Sequence, residues 1–203
     1  MNLQSPYFIG IMSGTSTDGV DAALVKINEH DATPAKLIAT SSLDIPMSLR
    51  EAILNLNQSG PDELRLAAEV SLELGKLYAD ATQNILLENS LLADDINALG
   101  IHGQTVRHRP ERGYSIQLNA PALVAELTGI DVVSDFRSRD IAAGGQGAPL
   151  IPAFHHAMFR DHHKARALLN IGGISNLSLL HPQQATSGFD CGPGNMLLDY
   201  WCH

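Results

Sequence analysis

Two short apolar runs, Phe8 to Met12 and Val20 to Ile27, flank a stretch of glycine, serine, threonine and aspartate, which predicts two strands joined as a hairpin. Lys36 to Ser42 reads as a third strand. Ser48, three residues before Glu51, has the capping-box pattern and predicts a short helix ending near Leu56. Gly60 and Pro61 break the chain. Beyond them Leu64, Ala67, Val70, Leu74, Leu77, Tyr78, Ala81 and Ile85 recur at three- and four-residue intervals, the signature of a long amphipathic helix with a core-facing stripe. Ile96–Ile101, Ser115–Leu118 and Ile130–Ser134 read as further strands, with a helix over Pro121–Leu127. A loop rich in Arg, Asp and Gly follows, then a helix over Leu150–Phe159 and a strand, glycine turn and strand over Ala167–Leu180. The alternation of strands and helices predicts an α/β fold, and no low-complexity linker marks a boundary.

Composition narrows the function. With 44% hydrophobic and 17% charged residues among 203, the chain can bury a substantial core. Thirteen Lys and Arg against twenty-two Asp and Glu give a net charge of -9, with no basic stripe, which argues against nucleic acid as a partner. The N-terminus lacks a basic, apolar leader and no long uninterrupted apolar run occurs, so no membrane partner is expected. Two cysteines, Cys191 and Cys202, are too few for a disulfide framework and lack metal-ligand spacing. A reducing, cytoplasmic setting is the simplest expectation.

The candidate chemistry sits in two glycine turns, "IMSGTSTDGVDAALV" and "LNIGGISNLSLL". Such turns expose backbone N–H groups and let a phosphate approach closely, because glycine has no Cβ. Ser13, Thr15 and Ser16 add hydroxyl donors, and Asp18 and Asp21 could hold Mg²⁺ or its waters. The P-loop pattern is absent, and a plain hairpin turn is the competing reading of each stretch taken alone. "DFRSRD" places Arg137, Arg139 and Asp140 just past a predicted strand, where open α/β sheets usually bind ligands, although an Arg139 salt bridge with Asp135 or Asp140 would explain the same residues. Asp190 in "GFDCGPGN" is either a reactive carboxylate or the cap of a helix beginning near Asn195. His102 and His108 suit neither a zinc site nor a catalytic pair; the doublets His155–His156 and His162–His163 read as surface or core residues, and Cys191 as a bystander.

Five segments in order, "GIMSGTSTDGVD", "GIHGQTVRH", "DFRSRDIAAGGQGAPLIPAFH", "LNIGGISNLSLL" and "GFDCGPGNMLLD", resemble anhydro-N-acetylmuramic acid kinase over essentially the whole chain. The resemblance implies the two-lobed, ribonuclease H-like fold of sugar kinases, actin and the Hsp70 ATPase domain, with a mixed sheet flanked by helices and two glycine hairpins gripping nucleotide phosphates. It implies an ATP- and Mg²⁺-dependent enzyme that opens 1,6-anhydro-N-acetylmuramic acid with water and phosphorylates it to N-acetylmuramic acid 6-phosphate, in recycling of cell-wall peptidoglycan. Asp190 is then the catalytic base. Gly14, Thr15, Ser16, Thr17, Asp18, Gly19, Val20 and Asp21 match the first phosphate loop, and Gly172, Gly173 and Asn176 the second. Arg139, Asp140, His102 and Gln104 match the substrate site, with Asp18 and Asp21 for the metal. The expected division is a first lobe over 1–135 and the start of a second over 136–203, incomplete because the family's chains run longer than this one. An inactive fragment, a sugar-binding module of the same fold and a kinase for another sugar are the alternatives. The partners expected are the amino sugar and ATP, and a homodimer stays open.

Overall fold

A computed structural model describes residues 5–14, 16–28 and 34–202; the predicted phosphate-loop residue Thr15 lies outside them. The elements run β1 (Tyr7–Ser13), β2 (Gly19–Ile27), β3 (Ala35–Asp44), α1 (Met47–Asn55), α2 (Glu63–Glu88), β4 (Ile96–Ile101), β5 (Gln104–Arg109) and β6 (Tyr114–Leu118). They continue with α3 (Pro121–Thr128), β7 (Val132–Ser134), α4 (Phe136–Ala142), α5 (Ile151–Phe159), β8 (Arg166–Ile171), β9 (Ile174–Leu180), β10 (Ser187–Pro193) and α6 (Met196–Cys202). The largest sheet has the order β3-β2-β1-β4-β7. Its first three strands are antiparallel, whereas β4 runs parallel to β1 and β7 parallel to β4. This is the mixed sheet with flanking helices that the sequence predicts. No helix among the described residues is long and apolar enough to cross a membrane.

Side-chain alternation decides which face is covered. Ile9 and Ile11 on β1 and Val20, Ala22 and Leu24 on β2 are buried, while Gly10, Met12 and Asp21 point the other way. The long helix α2 brings Val70, Leu74, Tyr78, Ala81 and Ile85 onto the buried face in one stripe, and burial of each of its Val, Leu and Ile side chains contributes about 1.5–3 kcal/mol relative to exposure. Gly75 sits mid-helix because α3 crosses there: a Cβ would lie 3.0 Å from the Cβ of Ala120. Ser13 ends β1 on the buried side, and its hydroxyl hydrogen-bonds the Tyr78 hydroxyl at 3.0 Å. Burial pushes the Tyr78 phenol up to about 12.

Two smaller sheets complete the fold. β5 and β6 form an antiparallel hairpin, and β8, β9 and β10 an antiparallel sheet in the order β10-β9-β8. Helix α5 packs on β9, where His155 Nδ1 and the Ser178 hydroxyl, both buried, lie 2.8 Å apart. Several sequence expectations change. The first short helix begins at Met47 behind Pro46 with no side-chain cap, so the Ser48–Glu51 capping box does not form. Residues 136–142 are helical rather than loop, β5 is an additional strand, and β7 begins at Val132 rather than Ile130.

Replacing Tyr78 by Phe strands the buried Ser13 hydroxyl and should cost about 1–3 kcal/mol. The double variant Ser13→Ala/Tyr78→Phe should recover part of that loss. Denaturant unfolding of the single and double variants measures the coupling, and purely additive losses would show that the two hydroxyls act independently.

Candidate active site

The first glycine turn joins β1 to β2 and is fixed from below. Thr17 is buried with φ +52°; its N–H donates to Gly14 O (3.2 Å) and its hydroxyl to Ser16 O (2.7 Å). Arg50 of α1 donates to Ser16 O (3.2 Å), and the Ile45 N–H to Asp18 O (3.0 Å). The Asp18 carboxylate accepts the Ser16 hydroxyl at 2.7 Å and the Gly19 N–H at 3.0 Å. The Ser16 bond holds its carboxyl below the ordinary value, against a smaller opposing effect of burial. Asp21 faces the open side of the sheet and accepts the Ser42 hydroxyl at 2.5 Å. Val20 is fully buried, so its side chain is a core residue. Among the described residues no cluster of three or more His, Cys, Asp or Glu side chains is arranged to hold a metal. Asp18 and Asp21 remain a pair of exposed oxygen donors on consecutive parts of one hairpin, a donor set that suits Mg²⁺.

The second turn, at Gly172–Gly173, carries Asp190 with it. Asp190 lies on strand β10, opposite Asn176 of β9, rather than in the loop that the glycines of "GFDCGPGN" suggest. The β9 ladder imposes the strand, and the glycines serve a bulge: pairing shifts between Asp190 and Gly192, and Gly192 takes φ +140°. Beyond the bulge, Gly194 N–H donates to Gly173 O (2.8 Å) and Asn195 N–H to Gly172 O (2.9 Å). A Cβ at Gly194 would run into Gly172 O and the Ser175 hydroxyl, so only glycine permits this closure. The structure thus brings Asp190, Asn176, Gly172 and Gly173 together on one small sheet. The side-chain oxygen of Asn176 is buried without a hydrogen-bond partner among the described residues. Cys191, the bulged residue, is exposed, and its thiol lies 3.9 Å from Phe189 O.

A cavity of about 310 Å³ opens between the β5–β6 hairpin, the start of α3 and α4, with His102, Gln117, Asn119, Ser134, Asp135 and Ser138 in its wall. Both ring nitrogens of His102 are engaged: Nδ1–H donates to Gly103 O (2.6 Å), and Nε2 accepts from Arg137 Nε (3.1 Å) and Nη2 (2.8 Å). Burial, then the Arg137 charge, push its pKa below the ordinary histidine value. Gln104 is buried, and its side-chain oxygen and that of Asn119 have no partner among the described residues. Arg137 and Asp140, one turn apart on α4, grip both polar groups of Gly147: the guanidinium donates to its carbonyl, and the carboxylate accepts its N–H at 2.7 Å. Asp140 therefore shapes the glycine-rich loop. Arg139 is exposed and makes no side-chain hydrogen bond or ion pair among the described residues, so the salt bridge with Asp135 or Asp140 does not form. The charge of Asp190 acts on both Arg137 and His108, favouring their protonated forms. Asn119 escaped sequence reading; its one signal is an amide between the end of β6 and the proline that opens α3.

Two glycine turns, one carrying the Asp18 carboxylate and the other followed by the strand of Asp190, together with a polar cavity, mark the candidate site of this α/β protein. The chain belongs to the anhydro-N-acetylmuramic acid kinase family, whose model matches residues 6–203. It is 60% identical over 196 residues to an anhydro-N-acetylmuramic acid kinase of Bordetella avium, covering 97% of this chain and 51% of that protein. It is 54% identical to one of Pseudomonas syringae pv. tomato, covering 96% of this chain and 52% of that protein. The chain thus spans about half the length of the curated relatives it matches. Solved structures similar to it include an Aquifex aeolicus Ppx/GppA family member (TM-score 0.44, 11% identity, 96% of this chain and 53% of that one). A reductive activator for a corrinoid, iron-sulfur protein matches at TM-score 0.47 and 16% identity, over 93% of this chain and 31% of that one.

The depressed His102 pKa predicts acid sensitivity. Unfolded, the imidazole takes up a proton as pH falls below about 6.5, whereas the native ring resists it, so stability falls from there and levels off below the native value. In denaturant titrations between about pH 7.5 and 5, His102→Asn should lose part of this slope. An unchanged slope would assign the acid sensitivity to other groups.

Proposed function

We propose that this chain forms the phosphate-gripping and base-bearing part of an ATP-dependent kinase that converts 1,6-anhydro-N-acetylmuramic acid to N-acetylmuramic acid 6-phosphate in peptidoglycan recycling. The observation that carries this reading is the pairing of Asp190 with Asn176 on the sheet whose turn is Gly172–Gly173, which sets a carboxylate beside a glycine turn of the phosphate-binding type. Asp190 takes a proton from water as the water oxygen bonds to the anomeric carbon. The bridge from that carbon to the 6-oxygen breaks, the 6-oxygen bonds to the γ-phosphorus, and ADP leaves. The turn from Gly14 to Gly19 flanks the phosphates on one side, with buried Thr17 shaping it from within, and Gly172, Gly173 and Asn176 flank them on the other. Mg²⁺, when bound, would neutralise phosphate charge, and Asp18 and Asp21 would hold it. His102, Gln104 and Asp140 belong to the sugar side, with His102 and Asp140 acting through the groups they hold in place. A division of the chain near residue 135 puts the first turn before it and the second turn and Asp190 after it, with the cavity wall contributed from both sides.

The test is phosphate transfer from ATP to the anhydro sugar, followed as formation of N-acetylmuramic acid 6-phosphate. In a chain of the family's full length, Asp190→Asn should keep sugar binding and lose about 10²- to 10⁴-fold in turnover. Near-normal turnover would remove Asp190 from the role of base. Sugar binding without any transfer by the unaltered full-length chain would leave a binding module in place of an enzyme.

A further inference from the structure

The guanidinium of Arg137 is half-buried and its contacts are unusual for a buried charge. Of the five N–H groups an arginine carries, three are spent, two on His102 Nε2 and one on Gly147 O, so two remain. All the acceptors are neutral, and among the described residues no carboxylate pairs with it at contact distance. Asp190 acts on it only through space. A partly desolvated cation held by neutral groups is costly unless an anion completes it. The neighbours hold it rigid: His102 Nε2 must stay unprotonated to accept from it, and the Nδ1–H bond to Gly103 O fixes that tautomer. His102 is also part of the cavity wall, and Arg137 is bonded to its Nε2. Arg139 presents the contrast of an exposed charge with no hydrogen bond or ion pair among the described residues.

We propose that Arg137, rather than Arg139, is the residue that receives the carboxylate of the substrate. This rests on the sugar reading above and identifies the group within it that distinguishes an acidic sugar from a neutral one. The fork of free N–H groups on a pre-oriented guanidinium matches a carboxylate in two parallel hydrogen bonds, and His102 serves as its neutral support. The charge of the pair then stays constant across neutral pH, because the histidine that supports the arginine does not protonate there.

Equilibrium binding of the 203-residue chain to two probes tests it: 1,6-anhydro-N-acetylmuramic acid, and 1,6-anhydro-N-acetylglucosamine, which has the same ring without the acidic side arm. The unaltered chain should prefer the acid by about 10- to 100-fold. Arg137→Gln should erase that preference while holding affinity for the neutral sugar within about 3-fold, Arg137→Lys should retain part of it, and Arg139→Gln should retain all of it. Thermal unfolding of each variant verifies that it is folded. A preference that survives Arg137→Gln, or that Arg139→Gln removes, overturns the assignment. Equal weakening of both sugars by Arg137→Gln also overturns it, since the residue would then act only by positioning His102. Equal binding of both sugars by the unaltered chain defeats the carboxylate site and leaves the sugar reading standing, whereas binding of neither defeats the sugar reading for this chain and the assignment with it.

Discussion

Everything in the first half of the molecule hangs on the burial of one helical stripe. Leu74, Tyr78, Ala81 and Ile85 of α2 lie against Ile9, Ile11, Val20, Ala22 and Leu24, and this contact decides which way β1 and β2 face. Because strand side chains alternate, fixing the apolar faces also fixes the polar ones. Met12 and Asp21 must then lie on the open face, and the turn that follows Ser13 leaves the sheet's end with Asp18 exposed and Thr17 turned back into the protein. The Ser13–Tyr78 bond is where that packing reaches the turn itself.

The second half depends more on hydrogen bonds and less on bulk. Leu169, Ile171, Ile174 and Phe189 of the β8–β10 sheet are exposed, while Ser178 and Leu180 are buried under α5. What orders the region around Asp190 is the β9–β10 ladder and the closure of residues 194 and 195 on the glycine turn. The first turn is likewise shaped by main-chain and polar contacts, yet it rests on a packed core. The two glycine turns, alike in sequence, are thus supported by different means, and no hydrogen bond or ion pair joins them among the described residues.

What could be read from sequence follows the same line. β1, β2, β4 and α2 are predicted because burial writes an apolar period into the chain, whereas α1 is predicted from a capping box that does not form. β5 was not: "QTVRHR" carries only one buried apolar residue, Val106, and gains its strand from pairing with β6. α4 has no apolar stripe, only Ile141 buried, and is held by bonds from Arg137 and Asp140 to a loop several residues away. β10 is rich in glycine and proline and reads as a loop until β9 supplies the ladder. The candidate site divides in the same manner. Asp190 and the glycine turns stand out as motifs. The roles of Arg137, His102 and Asn119 depend on which groups are already satisfied, and no spacing rule carries that information.

The bulge in β10 gives Cys191 a meaning that its chemistry does not. Pairing passes from Asp190–Asn176 to Gly192–Ser175, so one residue of the strand is taken up without a partner. That extra residue resets the alternation: without it, everything after Asp190 would turn to the opposite side of the sheet, and Gly194 would no longer meet Gly172. A conspicuous thiol beside an exposed carboxylate thus works as a unit of length. Chain length between Asp190 and Gly194 is constrained there, while the identity of the side chain at 191 is left free.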